Sequence, residues 1–80
     1  MKPYLIVTHS TGIFAFQTPT RERVEKLDAI VKRHDNMEMF KMVMSDNEAN
    51  IVKWAIKQKK FMYAAYYITK LRLQRGDFIE

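Results

Sequence analysis

The stretch from Ser45 to Gly76 constrains this chain more than any other. Ser45-Asp46-Asn47-Glu48 is a capping box: the Ser45 hydroxyl can accept from the Glu48 amide while the Glu48 carboxylate reaches back to the Ser45 amide. No glycine or proline follows until Gly76, and glycine suits the position just past a helix end. The pattern predicts one helix over 46–75, about 45 Å long. A compact chain of 80 residues has a diameter of only about 30 Å. Either the helix bends near Lys57-Gln58-Lys59-Lys60, or its C-terminal half projects.

The apolar residues of this helix change sides along its length. At 100° per residue, Ile51, Val52, Ala55, Ile56, Met62, Tyr63, Tyr66 and Leu73 share one side, which is expected to pack on the rest of the chain. The opposite side begins basic, with Lys53, Lys57 and Lys60 on one ridge. It then turns apolar, with Phe61, Ala64, Ile68 and Leu71 spaced as a short a/d seam. A helix that is apolar nearly all round is buried nearly all round. The seam is therefore expected to be covered by the chain's other helix, by a second copy in a homodimer, or by a different protein.

The N-terminal part reads as a β-hairpin over 3–18. Tyr4 to Thr8 and Ile13 to Gln17 are rich in β-branched and aromatic residues. Ser10-Thr11-Gly12 suits a three-residue loop with Gly12 in the left-handed conformation, so that His9 pairs with Ile13. One sheet face then carries Tyr4, Ile6, Phe14 and Phe16, and the other carries Leu5, Val7, Ile13 and Ala15. Both faces are apolar, so each needs a cover. A first helix is expected over 19–35, with Pro19 in its first turn and Thr18 or Thr20 as cap. Its inward stripe is Val24, Leu27, Ile30, Val31 and His34. Met37 to Met44 reads as a third strand, with Phe40, Met42 and Met44 on one face; its methionines suit core filling. The expected architecture is a single α+β domain, 1–80, of order ββαβα. Its three-stranded antiparallel sheet has strand order 2-1-3 and two helices pack on it, the C-terminal one long.

Charge is segregated. The chain carries 14 Lys and Arg against 9 Asp and Glu, a net charge of +5. Half of the basic residues fall between Ala49 and Gly76 (Lys53, Lys57, Lys59, Lys60, Lys70, Arg72 and Arg75), where no acidic residue occurs. Such a stretch either leans on carboxylates elsewhere in the fold or faces something acidic. Lys53, Lys57, Lys60, Arg72 and Arg75 are the candidates for phosphate or acidic-protein contacts. Tyr63, Tyr66, Tyr67 and Trp54 interleave with them, but Tyr63 and Tyr66 fall on the side expected to be core, which weakens a base-stacking role.

Catalytic signals are thin. There is no cysteine, which excludes a thiolate nucleophile, a thiolate zinc site and disulfides. His9 and His34 have no partner at metal-ligand spacing. No glycine-rich phosphate loop occurs, and Ser10 beside His9 has no evident acid or oxyanion hole. No catalytic, cofactor or metal residue is expected. The longest apolar run, Phe61 to Ile68, is far short of the ~20 residues that span a bilayer, and no leader pattern is present. The expected protein is soluble, cytoplasmic and non-enzymatic: an inhibitor, adaptor or regulator. It would dock on an acidic protein or nucleoprotein assembly through the basic and apolar face of its C-terminal helix. The alternative is a nucleic-acid binder using the same basic helix.

Overall fold

A computed structural model describes residues 1–76; residues 77–80 of the expected single domain lie outside the described residues. Strands β1 (Lys2–His9) and β2 (Gly12–Gln17) form the hairpin. Helix α1 (Arg21–Val31) leads to β3 (Met37–Met44), and helices α2 (Asp46–Lys57) and α3 (Phe61–Arg75) follow. The sheet is antiparallel with order β2-β1-β3, as its sequence pattern implies. Each apolar face has its own helical cover. Leu5 and Val7 pack under Leu27 of α1, with Ala15, Val24, Met37 and Met39 around them. Tyr4, Ile6, Phe40, Met42 and Met44 pack under α2 and α3. Met42 and Met44 are fully enclosed, so these methionines fill core.

The hairpin differs from expectation by one residue at its tip. Ile6 faces Phe16 as expected, but His9 pairs with Gly12 and Thr8 with Ile13, and the register shifts between Val7 and Thr8. Phe14 is the extra residue of this bulge. It turns out to solvent, half exposed, while Ile13 takes its place on the α2–α3 side of the sheet. A bulge displaces every side chain between itself and the turn. Gly12 has φ +140°, outside the left-handed helical region but still a conformation that only glycine adopts readily. Helix α1 is shorter than expected. Thr20 is its cap, accepting from the Arg23 amide at 3.2 Å, so Pro19 precedes the helix and His34 follows it.

The long helix is divided at the lysine-rich segment where the length mismatch called for a bend. Lys59 has φ +59°. Its N–H donates to the Ile56 carbonyl at 3.0 Å, and the Lys60 N–H donates to the Ala55 carbonyl at 2.8 Å. This pair of bonds is a Schellman ending, with a lysine in the place glycine usually takes. Helix α3 then runs back along α2, which brings Arg75 at its end to Glu48 at the start of α2. Two helices of about 18 and 22 Å fit within the observed extents of 30 × 28 × 21 Å; one of 45 Å does not.

Candidate docking face on the helical hairpin

The break resets the helical phase and exchanges the two sides of α3. Ala64, Ile68 and Leu71 are buried against the sheet beside Ala49, Val52 and Ala55 of α2. Of the four seam residues, whose cover the sequence left open between the chain itself, a second copy and a different protein, only Phe61 keeps substantial exposure, at 39%. The seam is therefore an internal one, covered by the chain's own sheet. The opposite correction applies to Met62, Tyr63, Tyr66 and Leu73. Expected in the core, they face solvent, with Tyr66 at 70% and Leu73 at 85% exposure. A wheel drawn from Phe61 alone leaves the choice open, because both sides of α3 are apolar. Residue size settles it. Ala64 and Ala65 let a helix lie close to a sheet, whereas tyrosine hydroxyls favour a position that reaches water.

The exposed residues continue across onto α2. Trp54 and Tyr63 meet edge to face, 6.3 Å between centroids at 87°. The Lys60 ammonium lies 5.1 Å from the Trp54 ring centroid, within cation–π range. Ile51 is exposed one turn before Trp54. Tyr67, half-buried against the core, forms the inner margin. Burial pushes its phenol above the ordinary value, with smaller contributions from the Glu48 charge and from Tyr63.

The basic residues divide into two groups. Arg72 and Arg75 are structural. Arg72 Nη1 donates to Glu38 Oε1 at 3.0 Å, and its guanidinium lies 3.9 Å from the Phe40 ring centroid. Arg75 Nη1 donates to Glu48 Oε1 at 2.6 Å and to the Val43 carbonyl at 3.2 Å, and Nη2 donates to Glu48 Oε2. Both arginines were expected as phosphate or partner contacts; each is instead held by a carboxylate of its own chain. Lys53, Lys57, Lys60 and Lys70 form no ion pair among the described residues. Lys57, Lys60 and Lys70 remain as an uncompensated cationic border to the aromatic face, while the Lys53 ammonium lies 5.8 Å from the Tyr4 ring centroid.

Glu48 joins the capping box to this clasp. It accepts from the Ser45 amide at 2.9 Å while its own amide donates to Ser45 Oγ at 3.2 Å. The Arg75 guanidinium, aided by Ser45, holds the Glu48 carboxyl at about 2, against an ordinary 4.5. A depressed acid contributes stability above its unfolded value and loses it as pH falls through the folded value. The clasp therefore stabilises the fold by about 3 kcal/mol at most at neutral pH. That contribution should fade between about pH 4.5 and about pH 2. Urea melts across this range should show a steep acid loss in the native chain and a much shallower one in Glu48→Gln. Equal slopes would mean that the pair contributes nothing to folding.

The tip of the hairpin and α3 enclose a hollow of about 220 Å3. His9 Nδ1 accepts there from the Thr11 amide at 3.4 Å and lies 3.1 Å from Thr11 Oγ1 and 3.4 Å from Ser10 Oγ. Glu38 lines the same hollow but is engaged by Arg72. Among the described residues no three His, Asp or Glu side chains are grouped to hold a metal ion, and no helix is long and apolar enough to cross a membrane. No protein-family model matches the chain, and no curated protein or solved structure matches it.

Proposed function

We propose that this chain is a non-enzymatic binding module, of the inhibitor, adaptor or regulator kind. It docks on the acidic surface of another protein through the outer face of the α2–α3 hairpin. One observation carries the reading: Trp54, Met62, Tyr63 and Tyr66, all large and exposed, lie together on a hairpin whose inner face already fills the core. Tryptophan, tyrosine and methionine are the residues enriched at interface centres. An apolar patch that folding leaves uncovered favours a partner. The border of Lys57, Lys60 and Lys70 selects its charge. Two copies meeting through this face would set lysines against lysines, so a foreign acidic partner is favoured over a homodimer.

The test is affinity capture from host extract, with and without nuclease, using the native chain and Trp54→Ala/Tyr66→Ala. Both positions are exposed, so circular dichroism should show an unchanged fold. An acidic protein should be retained by the native chain despite nuclease. Its retention should fall at least ~30-fold in the double variant, as expected when two interface anchors are removed. Lys57→Glu/Lys60→Glu should slow association more than it speeds dissociation. Retention indifferent to Trp54 and Tyr66, or sedimentation of the chain as a dimer through this face, would overturn the reading.

A further inference from the structure

The ladder between β1 and β2 ends at the Leu5–Gln17 pair, yet β1 begins at Lys2 and continues to pair with β3. Lys2, Pro3 and Tyr4 thus have a strand on one side only. Their other side opens into a notch of about 530 Å3, bounded by Phe16, Thr18, Arg23 and Lys53. A second hollow of about 680 Å3 shares Gln17 and Arg23 with it and is lined further by Thr20 and by Arg21, Glu22 and Lys26 on the first turns of α1.

Three elements far apart in sequence bring cations to the notch: Lys2 from β1, Arg23 from α1 and Lys53 from α2. Arg23 and Lys53 form no ion pair among the described residues. Arg23 Nη1 donates to the Thr18 carbonyl at 3.4 Å, which leaves most of its donors to solvent. Lys2 meets Asp46 at 3.6 Å, with both side chains largely exposed; such a pair is weak and exchanges readily. Tyr4 and Phe16 are stacked between these cations, 4.8 Å apart and 10° from parallel. Tyr4 is buried, while Phe16 is only partly covered. Pro3 removes the backbone donor that another strand would need on this edge, so β-augmentation is disfavoured there.

We propose that this notch binds single-stranded nucleic acid, with Lys2, Arg23 and Lys53 on successive phosphates and a base against Phe16. Cationic walls beside an aromatic surface suit such strands, because every base has a face to stack and every linkage a charge to hold. Two neighbouring hollows that share Gln17 and Arg23 suit a strand better than a single nucleotide. This site does not depend on the outer face of α2–α3: Trp54, Tyr63 and Tyr66 take no part in it.

Fluorescence anisotropy of a labelled oligothymidylate of about ten nucleotides tests it with the full chain. Three phosphate contacts give a log–log salt slope of about −2, so affinity should fall ~20-fold between about 50 and 200 mM KCl. Arg23→Glu/Lys53→Glu should bind at least ~10-fold more weakly at the lower salt and lose most of that slope. Arg33→Glu/Lys59→Glu changes the net charge equally but lies outside the notch, and should bind within about 3-fold of the native chain. An iododeoxyuridine-bearing strand should photocrosslink to Phe16 or Tyr4. The proposal falls if no binding occurs at low salt, if both double variants weaken it equally, or if the adducts map to Trp54, Tyr63 or Tyr66. That last outcome would transfer the nucleic acid to the outer face and would also remove the protein-docking reading of it.

Discussion

Ile68→Asp will leave the chain unfolded at room temperature, with no cooperative thermal transition, whereas Tyr66→Asp two residues away will melt like the native protein. Ile68 is fully enclosed between α3 and the sheet. Truncating such a side chain typically costs 2–5 kcal/mol. Placing a carboxyl there adds the burial of a polar group that has no partner. A domain of this size has about 4–12 kcal/mol of stability in total, so the combined loss matches or exceeds what is available. Tyr66 is 70% exposed, and substitutions at such positions usually fall within about 0.5 kcal/mol. Far-UV circular dichroism and a thermal melt of the two variants decide which side of α3 is core. A folded Ile68→Asp beside an unfolded Tyr66→Asp would mean that the helix lies with its other side inward. Ile68→Val gives a graded check, with an expected loss of about 1 kcal/mol in a transition that stays cooperative.

Gly12→Ala is expected to destabilise the fold by about 3 kcal/mol or more, through two effects at one atom. An added Cβ would lie 2.7 Å from Phe61 Cβ, 3.0 Å from its carbonyl carbon and 3.1 Å from its carbonyl oxygen. These are the first atoms of α3, and they cannot swing aside like the end of a flexible side chain. The φ of +140° adds strain of about 1–3 kcal/mol for any residue with a Cβ. In a chain this short each kcal/mol lowers the melting temperature by about 4–8 °C, so a fall of at least ~12 °C is expected. Phe61→Ala should not rescue the variant, because alanine keeps the Cβ and the backbone that clash. A Gly12→Ala chain melting within a few degrees of native would show that β2 and α3 are not held this closely.

The two variants probe the joint between sheet and hairpin, where reading the sequence succeeded only in part. The strands were legible because their β-branched and aromatic residues alternate against a turn with glycine. Their order was legible because a single helix links the second strand to the third. The capping box at Ser45 was legible because both of its hydrogen bonds are local. The bulge at Phe14 was not, since the sequence on either side pairs equally well with or without one skipped residue. The division of the long helix was signalled by its length alone, as neither glycine nor proline marks it.

The sequence by itself determined the local elements, the two apolar sheet faces and the clustering of positive charge, because these follow from residue type and spacing within a few turns of chain. Which side of α3 is core, which arginines are spent on Glu38 and Glu48, and where Lys2, Arg23 and Lys53 converge were decided by tertiary structure. A left-handed residue at Lys59 resets the helical phase. Contacts between residues about thirty positions apart then depend on how the hairpin lands on the sheet, which no local pattern encodes.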